Sequence, residues 1–310
     1  MTSTTSTTST TSPQKVIIVT GASSGFGRMT VEQLGKAGHV VYAAMRDIDG
    51  HNKQAAADLT RQAANGGPDL RPVELDVTDD DSVAAAIASV IAKSGHIDVV
   101  VHNAGHMVLG PAEAFTTVQY ADVYDVNVLG TQRVNRAVLP HLRAQRSGLL
   151  VWVGSTSTRG GTPPFLAPYF AAKAAMDSLA VSYASELIRF GIDTTIVVPG
   201  SFTSGTNHFA HAGKPLDAAR ASAYDGEYGE LMTQVQPRLG ALAPADADPD
   251  EVARVIADVV DLPAGQRPLR VHVDPANDGA EIVSAVADRI RADFFHRIGL
   301  EGLLTARSSL

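Results

Sequence analysis

From residue 15 onward the chain alternates short apolar runs with amphipathic stretches, and this alternation restricts the possible folds more than any other feature. Residues 16–19 are all apolar, as expected of a strand buried on both faces of a parallel sheet. Similar runs predict further strands at 40–44, 70–75, 97–101, 149–153, 194–198 and 269–273. Because helical patterns separate these runs, we predict an α/β fold with a doubly wound parallel sheet of about seven strands and helices on both faces.

The rest of the pattern predicts the organisation of the chain. Two helices are long, at 118–145 and 169–190, and Pro140 predicts a deformation of the first. No linker divides residues 15–310, which we interpret as one domain, and the Ser/Thr repeat at 1–14 predicts a disordered tail. The segment 203–248 interrupts the alternation after the end of a strand, where open sheets bind ligands. We therefore predict a substrate lid rather than a plain disordered loop.

Charge and composition exclude several classes of function. A formal net charge of −8 argues against a nucleic-acid partner, and the absence of cysteine excludes disulfides and thiolate metal sites. The histidine pairs 102/106 and 208/211 lack a ligand set around them, so we predict no metal. No apolar run approaches the ~18 residues of a membrane span. The N-terminus does not resemble a secretion signal, and we expect a cytoplasmic protein without a membrane partner.

A glycine-rich turn, T-G-A-S-S-G-F-G, joins the first strand to the first helix. A side chain in such a turn would clash, or would hold a pyrophosphate away from the N-terminus of the helix. The placement between a buried strand and a helix predicts a Rossmann-type dinucleotide site. The predicted contacts from this turn are Gly21, Ser23, Ser24, Gly25, Phe26 and Gly27.

The end of the second strand indicates which dinucleotide is bound. An acidic residue there would accept the ribose 2′-hydroxyl of NAD and repel a 2′-phosphate. This chain has Met45 followed by Arg46, and a guanidinium suits a phosphate dianion. We predict NADP(H). The alternative is that Arg46 pairs with Asp47 on the surface and that NAD(H) is used.

Tyr169 and Lys173 are spaced to lie one turn apart on the same face of a predicted helix. An unperturbed phenol has a pKa of ~10 and is a poor base near neutral pH. A nearby ammonium, together with the positive nicotinamide ring, would lower that pKa toward the working pH. The pair therefore indicates acid–base chemistry at Tyr169.

These motifs and their order resemble the short-chain dehydrogenase/reductase family, in its non-extended branch, over about residues 15–273. The glycine spacing is T-G-x-x-x-G-x-G, and Y-x-x-x-K lies between the fifth and sixth strands. The resemblance implies further cofactor contacts from three short segments. Those residues are Asp76 and Val77, then Asn103, Ala104 and Gly105 after His102 in place of the usual asparagine, and finally Pro199, Gly200, Phe202, Thr203 and Ser204.

The resemblance also implies a catalytic mechanism. Ser155, with Ser157 as the alternative serine, would polarise a carbonyl oxygen, and Tyr169 would donate the proton as NADPH delivers hydride. Lys173 would lower the pKa of Tyr169 and hold the nicotinamide ribose, and Asn127 would steady a water that connects Lys173 with solvent. The family further implies a homodimer or homotetramer formed through the two long helices.

Three alternatives remain open from the sequence: a non-catalytic NADP(H)-sensing protein, an isomerase or epimerase with tightly held NAD, and an NAD-dependent alcohol dehydrogenase. The predicted substrate walls are Met107, Val108, Phe165 and Phe202 together with the segment 203–248, which suggests an apolar carbonyl compound. Arg159 is either an anchor for an anionic substrate or an exposed arginine, and we favour the second.

Overall fold

The computed structural model describes residues 13–202, 206, 209 and 211–304, so that Thr203, Ser204 and most of the predicted tail lie outside it. Within this part of the chain, seven strands form one parallel sheet in the order β3-β2-β1-β4-β5-β6-β7, which confirms the predicted fold class. The strands are β1 (Val16–Thr20), β2 (Val40–Met45), β3 (Leu70–Glu74), β4 (Val99–His102), β5 (Gly148–Val153), β6 (Ile192–Pro199) and β7 (Arg270–Val273).

Helices cover both faces of the sheet. They are α1 (Gly25–Lys36), α2 (Lys53–Ala64), α3 (Asp80–Ser94), α4 (Thr117–Tyr124), α5 (Gly130–Gln145), α6 (Ala167–Leu187), α7 (Ala218–Ser222), α8 (Asp225–Gly240), α9 (Asp250–Asp261) and α10 (Ala280–Arg297). Side chains alternate along each strand, so Ile18 packs with α3, α5 and α6, whereas Ile17 packs with α1 and α9. Among the residues described, no helix is both long and apolar enough to cross a membrane.

The predicted helix at 118–145 differs from the structure in where it is irregular. α5 continues through Pro140, and a deformation there stays a prediction. The irregular part is instead a π-helical turn, Asp125–Leu129, which joins α4 to α5. This turn contains Asn127, whose side chain is buried.

The predicted lid segment contains α7 and α8, and its residues 213–216 are held on α4 and on the loop between β4 and α4. The N–H of Gly213 donates to the carbonyl of Met107 at 2.9 Å, and the N–H of Leu109 donates back to Gly213 at 2.9 Å. The Gln119 side chain adds two bonds, donating to the Lys214 carbonyl at 2.8 Å and accepting from the N–H of Leu216 at 3.0 Å. A role as a lid stays a prediction.

β3 lies at one edge of the sheet and contains Pro72. The carbonyl of Asp69 accepts from the N–H of Val41, and the N–H of Leu75 donates to the carbonyl of Met45, each at 3.0 Å. The backbone polar groups of Asp69 and Leu75 therefore face β2. Backbone polar groups alternate between the two sides of a strand. The nitrogen of Pro72, three residues from each, therefore lies on the side away from β2.

Candidate active site

The glycine-rich turn is closely packed against the end of β4. Gly21 and Gly25 have positive φ angles of 65° and 53°, which a residue without Cβ adopts without strain. A Cβ on Gly21 would lie 2.8 Å from the Cα of Ala104. The Asn103 amide donates to the carbonyls of Thr20 at 2.9 Å and Gly21 at 3.1 Å, which fixes the turn on the sheet.

The N-terminus of α1 lies directly after this turn and is suited to an anion. Ser24 occupies the N-cap with an extended backbone, and its side chain makes no capping bond to the helix. The first turn of α1 contains no acidic residue. The positive end of the helix dipole at this N-terminus can therefore bind a phosphate group.

A cavity of about 390 Å³ opens over this helix end. It brings together nearly all the cofactor contacts predicted before β5, which are Gly21, Ser23, Ser24, Gly25, Phe26, Arg46, Asp76, Val77, Asn103, Ala104 and Gly105. Gly27 is not in its wall, because it packs against the Gly21 carbonyl and the Asn103 amide. A glycine-rich turn, a helix N-terminus and the Arg46 cation around one cavity fit a dinucleotide.

Arg46 is exposed and follows the buried Met45 at the end of β2. Its guanidinium makes no ion pair with any residue that the structure describes. Asp47, the predicted alternative partner, uses its carboxylate to accept the N–H of His51 at 2.7 Å. The Arg46 side chain lines the cavity, while its carbonyl accepts from the Asn52 amide at 2.7 Å.

The reacting groups lie where β5 ends and α6 begins. Lys173 is 4% exposed, and its Nζ donates to the Val153 carbonyl at 2.9 Å and lies 5.9 Å from the centre of the Tyr169 ring. Ser155 lies close enough to the phenol of Tyr169 to lower the pKa of that phenol. The Oγ atoms of Ser155 and Ser157 are 2.8 Å apart, so Ser157 adjoins the serine that contacts the phenol.

Burial dominates the electrostatics of this pair. It raises the pKa of Tyr169 to about 12, against a smaller lowering by the bond to Ser155. Burial also lowers the pKa of Lys173 to about 8. The low phenol pKa that we expected from Lys173 and a cofactor together is thus not present in the protein alone. In the protein alone, Tyr169 holds its proton through the neutral pH range.

Asn127 connects Lys173 with the N-A-G segment. Its amide donates to the carbonyls of His106 at 2.9 Å and Val123 at 2.8 Å, while its buried Oδ1 has no partner among the described residues. A Cβ on Gly105 would lie 2.9 Å from that Oδ1 and 3.7 Å from the Nζ of Lys173. The three residues therefore meet around one small space, and a polar group held there would satisfy the amide oxygen.

A second cavity of about 400 Å³ opens on Ser155, Tyr169 and Lys173 and shares several wall residues with the first. Its wall is mostly apolar, and the large side chains in it are Phe26, Met107, Leu166, Phe170, Phe202, Phe209, Leu239 and Leu242. Of the predicted substrate walls, Met107 and Phe202 line it, whereas Val108 and Phe165 do not. Pro199 and Gly200, which were predicted as cofactor contacts, line this second cavity and not the first. Arg159 does not line it either, and forms an ion pair with Asp177 at 3.1 Å.

Sequence reasoning missed several residues in these walls. Around the first cavity they include Asn52, Thr78, His106, Asp122, Val126 and His211. Two of these residues could have been predicted from their position in the sequence. Thr78 directly follows the Asp76–Val77 segment, and His106 directly follows the N-A-G segment. Leu239 and Leu242 reach the second cavity from the end of α8, and no local pattern distinguishes them from ordinary helix residues.

Comparisons with known proteins show the family of this chain. The family model described as short chain dehydrogenase matches residues 15–214. The uncharacterized oxidoreductase YusZ of Bacillus subtilis is 30% identical over 245 residues, or 78% of this chain and 83% of that protein. Estradiol 17-beta-dehydrogenase 1 of Rattus norvegicus is 32% identical over 253 residues, or 80% and 71% of the two chains.

A solved structure extends the similarity to the fold. The crystal structure of a short-chain dehydrogenase from Streptomyces avermitilis has a TM-score of 0.71 and 31% identity, and the match covers 93% of this chain and 98% of that one. Sequence match, fold and the order of motifs along the chain agree with one another. This chain belongs to the short-chain dehydrogenase/reductase family, a family of nucleotide-binding oxidoreductases.

Proposed function

We propose that this protein is an NADP(H)-dependent oxidoreductase that interconverts an apolar carbonyl compound and the corresponding alcohol. The observation that carries the proposal is that Ser155, Tyr169 and Lys173 line an apolar cavity, which shares wall residues with the cavity over α1. The shared wall residues are Phe26, Asn103, Gly105 and Met107. A carbonyl oxygen bound by Ser155 and Tyr169 would lie in the apolar cavity. A non-catalytic sensor of the same fold would not need this arrangement.

The residues divide the work as follows. The nicotinamide, when bound, supplies or accepts the hydride. Ser155 donates a hydrogen bond to the carbonyl oxygen, where negative charge develops during reduction. Tyr169 supplies the proton, and its pKa of about 12 in the protein alone keeps it in the acid form that reduction requires. Lys173 would hold the nicotinamide ribose. Asn127 would steady a water through which the phenol regains its proton.

The test of catalysis is NADPH consumption with a panel of ketones, aldehydes, quinones and steroids. Steroids are included because of the apolar cavity and because the rat relative is named as an estradiol dehydrogenase. Tyr169→Phe should lower the rate by about 10²–10⁴-fold, the usual contribution of a general acid, while NADPH still binds. Tyr183→Phe is the matched control, because its phenol lies on the same helix but donates to Gln132. Retention of most activity by Tyr169→Phe would contradict the mechanism.

The proposed cofactor rests on the unpaired Arg46 beside an apolar Met45. A charged hydrogen bond contributes about 1.5–3 kcal/mol, so NADPH should be preferred to NADH by about one to two powers of ten in kcat/KM. Met45→Asp combined with Arg46→Ala should remove or invert the preference, because it exchanges attraction for repulsion. Lys53→Ala, an exposed cation outside the cavity wall, should leave it unchanged. A wild-type preference for NADH would instead support the NAD-dependent alternative.

We further propose that the protein is cytoplasmic and assembles as a homodimer or homotetramer through its long helices. α4 and the turn after it expose Val118, Tyr124 and Leu129 at 64%, 43% and 42%, which supports an interface on this side. Light scattering should give the mass of an oligomer for the wild type and a smaller mass for Tyr124→Lys with Leu129→Lys. A monomeric wild type would contradict the assembly.

A further inference from the structure

Asp177 is a fully buried carboxylate on α6, one helical turn beyond Lys173. Burying a charge is costly unless it is paired, and this one is paired twice. Its Oδ2 accepts from Arg159 at 3.1 Å, and its Oδ1 accepts from Arg270 on β7. Arg270 also forms an ion pair with Asp288 on α10, with its Nε 3.2 Å from Oδ2. The four side chains form a row of alternating charges from the reacting centre to the last helix.

Arg159 lies at the end of a compact turn that begins with Ser155. The N–H of Thr158 donates to the Ser155 carbonyl at 3.2 Å, and the N–H groups of Arg159 and Gly160 donate to Thr156 at 3.0 and 2.7 Å. These bonds make residues 155–160 one short unit. One end of the unit follows β5. At the other end, the ion pair between Arg159 and Asp177 connects the unit to α6, the helix that contains Tyr169 and Lys173.

We propose that Asp177 is a positioning residue that, acting through Arg159, holds Ser155 in register with Tyr169. The inference rests on the proposed function, because it takes Ser155 and Tyr169 to bind the same carbonyl oxygen. Donors to one oxygen must be placed accurately, and a displacement of about 1 Å far from the chemistry can cost about a hundredfold in rate. The ion pair fixes the separation of Ser155 and Tyr169 by linking the elements that carry them.

Stability alone does not account for this ion pair. Buried ion pairs can often be replaced by apolar groups without loss of stability, so a positional role is the more informative explanation. The chain also offers a matched control. Arg267 and Asp193 form another buried pair at 2.9 Å, with each side chain 8% exposed. Asp193 lies at the start of β6, six residues from Pro199, which puts it about 20 Å from the site along the strand.

The experiment compares Asp177→Asn, Arg159→Gln, the double variant and Arg267→Gln. Arg159→Gln is the milder change, since it leaves the bonds between Asp177 and Arg270 in place should Asp177→Asn fold poorly. Kinetics with NADPH and the best carbonyl substrate would be measured with NADPH affinity, melting temperature and hydrogen–deuterium exchange of residues 155–160.

We expect kcat to fall by about ten- to a hundredfold in both single variants. The double variant should be no worse than the more affected single one, as expected of residues acting as a unit. NADPH affinity should change little, and amide exchange in residues 155–160 should become faster. The control should lose stability without these changes.

An unchanged kcat and unchanged exchange of residues 155–160 in Arg159→Gln would overturn the inference. So would a loss of kcat in the control as large as that in Asp177→Asn. If the wild type reduces no carbonyl in the panel, the proposed function fails instead. The exchange measurement would still show whether Asp177 and Arg159 hold the turn, because it does not depend on turnover.

Discussion

Lys173 combines a positive charge with nearly complete burial, and this combination determines what the residue can do. Its Nζ has a carbonyl partner, Val153, but no acidic partner among the residues described. Burial alone therefore lowers its pKa to about 8. The ammonium is available to hold a ribose at neutral pH, but the fold is less stable for containing it.

We predict that the cost of burying Lys173 can be measured through pH. The ordinary pKa is 10.5, so between pH 8 and 10.5 the unfolded chain holds a proton on this lysine that the folded protein has released. Stability should rise with pH in that window and this contribution should be constant outside it. Lys173→Met should be more stable than the wild type at pH 7 by roughly 2–4 kcal/mol, and the difference should disappear by about pH 10.5.

Urea unfolding at a series of pH values would measure this difference. Lys93→Met, an exposed lysine at the end of α3, is the control and should track the wild type. A difference for Lys173→Met that does not change between pH 8 and 10.5 would contradict the prediction.

At the scale of residues, the sequence predicted the site better than its electrostatics. The spacing of Tyr169 and Lys173 predicted their shared helix face correctly, because helical geometry is local. The direction of the phenol pKa was not predictable, because it depends on how deeply the folded chain buries the side chain.

At the scale of elements, the α4–α5 helix shows how a side chain can change a helix that its sequence predicts to be regular. The Asn127 amide donates to the Val123 carbonyl, which in a regular helix would accept the N–H of residue 127. A side-chain amide thus takes the place of the backbone N–H as the donor to this carbonyl, which accounts for the wider turn there. Residues 125–129 contain neither proline nor glycine, so the sequence had no marker for it, whereas α5 stays helical through Pro140.

The segment that contributes Leu239 and Leu242 to the apolar cavity leads to a prediction about Gln119. This side chain bonds the backbone at Lys214 and Leu216, so Gln119→Ala should loosen the segment that leads into α7 and α8. Because Leu239 and Leu242 line the cavity, we expect KM for the carbonyl to rise several-fold, with NADPH affinity and melting temperature nearly unchanged.

Limited proteolysis should show faster cleavage after residue 210 in the same variant. Gln145→Ala, which removes a similar bond to the Ile97 carbonyl at 2.8 Å, is the control and should affect neither KM nor cleavage there. An unchanged KM in Gln119→Ala would mean that this anchor does not shape the substrate site.

At the scale of the whole molecule, the sequence predicted the strands within a few residues, because parallel strands buried on both faces are nearly continuous apolar runs. It did not predict the charge row that joins Arg159 to Asp288. Those residues are 129 positions apart and no periodicity relates them. The position of the segment 203–248 was not predictable either, because it depends on contacts with the loop after β4.

The position of Pro72 bears on how this protein behaves in a crowded solution. The outer side of an edge strand can recruit a strand from another molecule, which begins aggregation, and proline prevents this by offering no N–H. β7, at the opposite edge, has only four residues and includes Arg270 and His272. Pro72→Thr should therefore increase turbidity on heating below the melting temperature, while the exposed Pro263→Thr should not. Both edge strands, β3 and β7, are therefore poor templates for pairing with a strand of another molecule. This opposes aggregation of a protein whose sheet is built from apolar strands.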